Sequence, residues 1–183
     1  PNPTDTECDL GGQAFREHNC DSVIAIGGGS SMDAAKGIGL IAHKNREHFW
    51  AFDSEVEPMP IGQAGPFAPL ICVPTTSGTG AETEATGMVT NTTNHEKRCV
   101  YHPDYHPVAC ILDAELTVGL PQNLTAWTGM DAIVHAIEAY LVPAHHPLCD
   151  GAALQALELM APAIKRVYHD GTDIEARHAM IVG

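Results

Sequence analysis

A glycine-rich stretch at residues 27–36 separates an apolar run from a run of helix-forming residues, and it constrains the fold more than any other feature. Residues 21–26 are rich in β-branched side chains and predict a strand, whereas residues 34–42 predict a helix. Glycine tolerates positive φ angles and lets the backbone approach a ligand closely. The first turn of a helix directs unpaired N–H groups and a partial positive charge toward an anion. The order of strand, glycine turn and helix therefore predicts a pyrophosphate site for a dinucleotide, with a ligand-free turn as the alternative.

Composition and charge narrow the range of partners. The chain has 183 residues, a hydrophobic fraction of 44% and a formal net charge of −14. This charge disfavours nucleic acid and anionic membrane surfaces, so we expect neither as a partner. Six cysteines without a Cys-x-x-Cys pair indicate free thiols in a reducing cytoplasm. The chain begins at Pro1 and stops within a helical pattern, so we expect an internal fragment of a longer protein.

The order of the predicted elements indicates an α/β domain followed by an all-α domain. We predict the C-terminal part of an α/β dinucleotide-binding domain with a partial parallel sheet over residues 1–118. The first helices of an all-α domain are predicted over residues 119–183. The predicted strands are residues 23–26, 70–73, 87–90, 98–101 and 108–112, and a long loop covers residues 45–69. The predicted helices are residues 5–18, 31–43, 123–142, 148–168 and 173–183. The helix at 148–168 contains Pro162 and therefore has to kink or break there.

A loop rich in hydroxyl groups follows the second predicted buried strand. Residues 74–82 contain four hydroxyl side chains and two glycines. In open α/β sheets ligands bind at the carboxyl ends of the strands, so these groups are candidates for binding the ribose or the nicotinamide amide. The simpler alternative is a turn whose hydroxyls hydrogen-bond their own backbone.

Asp131 and His135 form a possible metal-binding pair. They are four residues apart on a predicted helix and therefore project from one face of it. A carboxylate oxygen and an imidazole nitrogen placed in this way can bind one divalent ion. Because three or four protein ligands are normal, the pair alone does not make a site, and a surface ion pair or a hydrogen-bonded core histidine is the alternative.

Four motifs together resemble the iron-containing alcohol dehydrogenase family of the group III type, and the resemblance covers essentially the whole chain. The motifs are GGGSxxDxxK at residues 27–36, PTTSGTGxE at 74–82, LDxELTxxLP at 112–121 and GMDAxxHAIEAY at 129–140. The resemblance implies a dehydroquinate synthase-like architecture in which the all-α domain binds a metal. It also implies truncation at both ends. The missing parts would include an acidic position that helps to select NAD over NADP and two further histidine ligands.

The resemblance also implies cofactor-binding roles for specific residues. The residues expected to contact the dinucleotide are Gly28, Gly29 and Ser30 at the pyrophosphate, Thr75, Thr76 and Thr79 along the adenosine and nicotinamide side, and Thr86 and Lys97 at the ribose–nicotinamide half. Asp33 matches an acid of the cofactor cleft, and its alternative role is that of a carboxylate in the first turn of a helix. Asp131 and His135 match two of four metal ligands and would be catalytic through the metal.

The implied activity is hydride transfer between a small alcohol or carbonyl substrate and NAD or NADP. A metal ion of the Fe(II) type would polarise the substrate oxygen, although intrinsic affinity favours zinc. The full-length enzyme is expected to be a homo-oligomer, and the isolated fragment to be inactive. The alternatives are a glycerol dehydrogenase-like enzyme of the same fold, a non-catalytic nucleotide-binding fragment and a metal-dependent hydrolase. The residues leave the substrate open.

Overall fold

A computed structural model of the chain describes residues 2–42, 49–56, 62 and 65–183. The chain forms two compact units. The first unit comprises Pro1–Val73 and Ala81–Ile111, and the second comprises Pro74–Gly80 and Leu112–Gly183. The helices are α1 Asp5–Glu17, α2 Gly29–Ile41, α3 Gln122–Leu141, α4 Pro147–His169 and α5 Ile174–Val182, and the strands are β1 Val23–Gly27, β2 Leu70–Pro74, β3 Thr86–Thr90, β4 Lys97–Tyr101 and β5 Ala109–Cys110. Two short 3₁₀ helices span Phe49–Phe52 and Ala114–Thr117.

The first unit combines a three-stranded sheet with a hairpin. The sheet has the order β1-β2-β5, and β2 runs parallel to β5, whereas β3 and β4 pair antiparallel. Helices α1 and α2 pack together, and α2 also packs against β1 and β3. Met32, Leu40, Leu70 and Val100 are fully buried in the core that these elements share. The packing of α2 against both β1 and β3 brings the glycine turn and the hairpin into one structural unit.

The second unit is a helical bundle preceded by a short irregular segment. Helix α4 packs against both α3 and α5, and Met160, Val167, Ala176 and Met180 form the centre of its core. Helix α5 begins after Asp173, whose side chain accepts a hydrogen bond from the N–H of Ala176. The sequence predicted that this helix has to kink or break at Pro162. The helix is not broken there, and α4 continues as a single element to His169.

The predicted fold class is confirmed, since a partial parallel sheet with helices is followed by helices alone. The strand predicted at residues 108–112 is shorter than expected, because only Ala109 and Cys110 are bonded in the ladder, and both residues are exposed. Most of the predicted loop at 45–69 lies outside the described residues. The domain boundary near residue 118 stays a prediction. Among the described residues, none of the helices combines the length and apolar character needed to cross a membrane.

Candidate dinucleotide and metal site

The turn between β1 and α2 requires glycine at its first position. Gly27 has a φ angle of +144°, a conformation that residues with a side chain rarely adopt. A Cβ atom at this position would lie 2.3 Å from the hydroxyl oxygen of Ser31. The backbone geometry and the close approach of Ser31 therefore both depend on the missing side chain, as the sequence predicted for a tight strand-to-helix turn.

The N-terminus of α2 leaves its first N–H groups without a side-chain cap. The N-cap residue is Gly28, and the first turn contains no acidic residue. Gly29 and Ser30 occupy the first two helical positions, whose N–H groups have no partner within a helix. In contrast, α1 begins with a capping box in which Thr4 and Glu7 satisfy each other's backbone. The start of α2 is thus suited to an anion, which is the role predicted for Gly28, Gly29 and Ser30.

Asp33 lies on α2 behind this turn and faces β3. It is the fifth residue of the helix and not part of the first turn, so the alternative reading of a first-turn carboxylate is wrong. Its side chain is 9% exposed and accepts a hydrogen bond from the backbone N–H of Met88. Burial raises the pKa of the Asp33 carboxyl, an effect that the Met88 hydrogen bond and the Lys36 charge oppose. Asp33 therefore ties α2 to the hairpin.

Lys36 makes the second connection from α2 to the hairpin. Its side chain is completely buried, and its ammonium donates hydrogen bonds to the carbonyl oxygens of Ala81 and, at 2.7 Å, Thr86. Burial lowers the pKa of Lys36, and the negative charges of Glu84 and Asp33 act in the opposite direction. Sequence reasoning included Lys36 in the glycine-rich motif but assigned it no role. Its three-residue spacing from Asp33 on the same helix was the available signal.

Thr86 and Lys97 lie at opposite ends of the hairpin, Thr86 at its open end and Lys97 beside the turn that joins the two strands. Thr86 begins β3 and pairs with Tyr101, whereas Lys97 begins β4 and pairs with Thr90. The Thr86 hydroxyl donates a hydrogen bond to the Glu84 carboxylate. Lys97 is exposed, and its charge is a minor contribution that opposes the rise in the pKa of Asp33 caused by burial. Both residues predicted to contact the cofactor therefore lie on the hairpin that packs against α2, but at its two different ends.

The predicted hydroxyl-rich loop continues from β2 into the second unit, which contains Pro74–Gly80. Thr75 and Thr76 are half-buried, and Thr79 is exposed. Gly78 packs directly against α3, because a Cβ atom at this position would lie 2.9 Å from both the Cβ and the carbonyl oxygen of Thr128. The absence of a side chain at Gly78 lets the loop backbone lie against the helix.

Asp131 and His135 lie one turn apart on the same helix α3. His135 Nδ1 is 4.0 Å from Asp131 Oδ2, and the two side chains are 51% and 47% exposed, respectively. The same nitrogen is 3.4 Å from the carbonyl oxygen of Gly78. This contact fits a metal-binding histidine, since such residues usually donate one ring N–H to a backbone carbonyl and bind the ion with the other nitrogen. The described residues contain no cluster of three or more His, Cys, Asp or Glu side chains able to hold a metal, so the pair is an incomplete ligand set.

The structure therefore groups the predicted residues into two sets. The first unit contains the glycine turn, Asp33, Thr86 and Lys97. The second unit contains residues 74–80 of the hydroxyl-rich loop, which we call the threonine loop, and the pair Asp131–His135. Within the second unit, the Gly78 contacts join the loop predicted to line the adenosine and nicotinamide side to the predicted metal pair. No motif predicted this contact, because it depends on how the loop packs against the helix.

Sequence reasoning also missed a buried arginine that contacts α3. Arg177 of α5 is 3% exposed and donates hydrogen bonds of 3.0 Å to Thr125 Oγ1 and to the carbonyl oxygen of Gly171. Burial lowers the pKa of its guanidinium. Its Nη2 atom makes no hydrogen bond to any described residue. Arg177 thus ties α5 to the first turn of α3, and a single arginine in a helical pattern gives no signal of that role.

Comparison with known proteins places this geometry in a family. The model of the iron-containing alcohol dehydrogenase family matches residues 1–114, and that of the C-terminal region of the Fe-containing alcohol dehydrogenase family matches residues 125–183. The chain is 39% identical over 181 residues to the NAD-dependent methanol dehydrogenase of Bacillus methanolicus, covering 98% of this chain and 46% of that protein. It is 42% identical over 181 residues to the 4-hydroxybutyrate dehydrogenase of Cupriavidus necator, with the same two coverages.

A solved structure shows the same architecture. The sulfoacetaldehyde reductase from Bifidobacterium kashiwanohense, in complex with NAD+, superposes with a TM-score of 0.91 at 32% identity, covering 100% of this chain and 48% of that one. The chain therefore belongs to the iron-containing alcohol dehydrogenase family, and the predicted resemblance is confirmed. It spans about half the length of the curated relatives it matches.

Proposed function

We propose that the protein containing this chain is a metal-dependent, NAD(P)-linked alcohol dehydrogenase. The observation that carries this proposal is a contact within the second unit. It joins Gly78 of the threonine loop to His135 of the predicted metal pair. Hydride transfer requires the reacting carbon and the nicotinamide ring to be held close together. A loop that binds the nicotinamide and also touches the metal pair meets this requirement. Family membership supports the same reaction class.

The first unit binds the dinucleotide in this proposal. The uncapped N–H groups of Gly29 and Ser30 bind the pyrophosphate, helped by the partial positive charge at the start of α2. Gly28 allows the backbone to approach the phosphate oxygens. Thr86 and Lys97 contact the ribose–nicotinamide half of the cofactor. Asp33 acts as the acid of the cofactor cleft while its Met88 hydrogen bond keeps α2 against β3.

The second unit binds the nicotinamide end and the metal. Thr75, Thr76 and Thr79 offer hydroxyl and backbone groups to the cofactor. Asp131 and His135 would hold the metal as two of its ligands, and the ion supplies Lewis acidity that polarises the substrate oxygen. A hydrogen bond from His135 Nδ1–H to the carbonyl oxygen of Gly78 leaves the lone pair on Nε2 for the ion.

Iron and NAD are the proposed cofactors. Iron(II) is proposed from the family, and zinc is the alternative that intrinsic affinity favours. NAD is proposed over NADP because one relative is NAD-dependent and one neighbour was solved with NAD+. The substrate is proposed to be a small alcohol or its carbonyl product, as the names of the relatives indicate.

We propose the binding partners and the cellular compartment of the protein from its net charge and its free cysteines. A net charge of −14 supports neither nucleic acid nor an anionic membrane as a partner. All six cysteines are free, which is typical of a reducing compartment and supports the cytoplasm. Large apolar side chains such as Trp127 and Leu141 are exposed on α3. We propose that further protein covers them in a full-length homo-oligomer.

Replacing His135 by alanine in the full-length enzyme tests the metal assignment. The variant is expected to lose bound metal and alcohol-dependent NADH formation, because one of the ligands is missing, while dinucleotide affinity is unchanged. Metal content, turnover and dinucleotide titration measure these three quantities. His178→Ala is the matched control, since His178 is an exposed histidine of the same unit and should retain all three. Full metal content in His135→Ala would remove the pair from the site.

The 183-residue chain by itself is proposed to be inactive. Its described residues provide the two ligands Asp131 and His135 but no third metal-binding side chain beside them. Three or four ligands are normal for a bound catalytic metal. Alcohol-dependent NADH formation by the purified chain would contradict this proposal. Tight binding of NAD(H), measured by a thermal shift, would also separate a dehydrogenase from a metal-dependent hydrolase.

A further inference from the structure

Lys36 is a buried ammonium that joins the helix of the glycine turn to the segment preceding β3. It is completely buried, and it donates hydrogen bonds to the carbonyl oxygens of Ala81 and Thr86. Ala81 begins a five-residue irregular segment, residues 81–85, and Thr86 is the first residue of β3 directly after it. Because one nitrogen binds both carbonyls, the two oxygens are held within about 6 Å of each other.

The position of Thr86 is consequently set from two sides. Lys36 holds its backbone carbonyl, and the Glu84 carboxylate accepts a hydrogen bond from its hydroxyl. A main-chain contact and a side-chain contact together determine where the hydroxyl points. The Cβ of Lys36 also lies only 3.4 Å from the Cβ position of Gly87, so the start of β3 packs directly onto α2. Replacement of the ammonium by an apolar group would preserve this packing but remove both donors.

The charges near Lys36 partly offset the effect of its burial. Burial lowers the pKa of Lys36, and the negative charges of Glu84, Asp33 and Glu82 act in the opposite direction. A buried charged group is costly unless it is hydrogen-bonded and compensated, and Lys36 satisfies both conditions. A methionine of similar length would fill the same space without that cost. The two carbonyl contacts are therefore what the lysine provides and an apolar residue does not.

We infer that Lys36 is a positioning residue for cofactor binding: it fixes residues 81–86 against α2 and so orients Thr86 for the dinucleotide bound at the start of the same helix. This inference rests on the proposed function, since it assumes that Thr86 contacts the cofactor. Lys36 is completely buried, so it is a positioning residue and not one that contacts the cofactor. Its effect passes through the Thr86 carbonyl, and the Glu84 carboxylate completes the arrangement.

A double-mutant cycle on cofactor kinetics in the full-length enzyme tests the inference. Lys36→Met leaves an apolar side chain one atom shorter and removes the donors, and it should raise KM for the dinucleotide about tenfold with a smaller change in kcat. Thr86→Val should raise KM by a similar factor. If Lys36 acts through Thr86, the double variant should show clearly less than the product of the two effects. Leu40→Ala is the matched control, because Leu40 is a fully buried apolar residue of α2.

The control separates positioning from loss of stability. Leu40→Ala should lower the unfolding temperature, leave KM for the dinucleotide unchanged and combine additively with Thr86→Val. Glu84→Ala provides a further variant if Lys36→Met fails to fold, since Glu84 is exposed, and loss of the acceptor of the Thr86 hydroxyl should raise the same KM. Additive effects of Lys36→Met and Thr86→Val, or an unchanged KM in Glu84→Ala, would overturn the inference. A wild-type enzyme without dinucleotide-dependent alcohol oxidation would instead refute the proposed function.

Discussion

Replacing Gly78 by alanine tests whether the packing of the threonine loop on α3 supports the metal pair. The added Cβ would lie 2.9 Å from both the Cβ and the carbonyl oxygen of Thr128, and 3.3 Å from its Cα. Two of these atoms belong to the helix backbone, so no change of rotamer relieves the contact. Carbon atoms pack at about 3.5–4.0 Å, and the loop therefore has to move by roughly 0.6–1 Å.

This displacement is large enough to break the contact to the metal pair. Gly78 O and His135 Nδ1 are 3.4 Å apart, and a shift of roughly 0.6 Å would take them beyond the range of a hydrogen bond. Overpacking of this kind costs about 1–3 kcal/mol of stability. Loss of an outer-shell contact to a metal-binding histidine lowers metal affinity by about 10–100-fold. Gly78→Ala should therefore weaken metal binding without altering either metal-binding side chain.

The assay compares metal affinity and thermal unfolding of the full-length variant with those of Gly119→Ala. Gly119 has no atom within 4 Å of its Cβ position and no positive φ angle, so alanine is tolerated there. Metal competition with a chelator measures affinity, and calorimetry should show a lower unfolding midpoint for Gly78→Ala than for Gly119→Ala. Equal metal affinity and equal midpoints for Gly78→Ala and Gly119→Ala would refute the reasoning.

Two further substitutions test the phosphate site and the buried arginine. Gly29→Val places a branched side chain at the first helical position of α2. KM for the dinucleotide should therefore rise about tenfold, while metal content stays constant. Unchanged cofactor kinetics would argue against the pyrophosphate site. Thr125→Val keeps the shape of the side chain but removes the acceptor of Arg177 Nη1. It should lower the free energy of unfolding by about 1–3 kcal/mol in denaturant titrations, and an unchanged midpoint would contradict that role.

The threonine loop packs with the helical unit and not with the strand that precedes it. Sequence order places residues 74–80 directly after a strand of the α/β domain, whereas the packing groups them with the helices of the second unit. Gly78 explains this grouping, because its backbone lies against Thr128 of α3. Substitutions in this loop should therefore be interpreted through the stability of the helical unit as well as through cofactor binding. The Gly119→Ala control is placed in that unit for this reason.

Local structure in this protein follows closely from the order of its residues. Helix α3 spans Gln122–Leu141, within one residue of the predicted bounds at each end, because its apolar periodicity begins after one proline and ends before another. The glycine turn was equally predictable, since only glycine accepts the φ angle of +144° found at Gly27. The one-turn spacing of Asp131 and His135 on one helix face is likewise a property of the sequence alone.

The contacts between distant segments were decided only by the tertiary structure. Lys36 meets Ala81 and Thr86 across 45 and 50 positions, respectively, and His135 meets Gly78 across 57. Such contacts depend on how completed helices and strands pack, and no periodicity within one element encodes them. The sequence by itself thus determined the turn, the helix that carries the metal pair and the family. Tertiary packing decided which backbone groups contact the side chains predicted to bind the cofactor and the metal, because long-range burial and hydrogen bonding exist only in the folded chain.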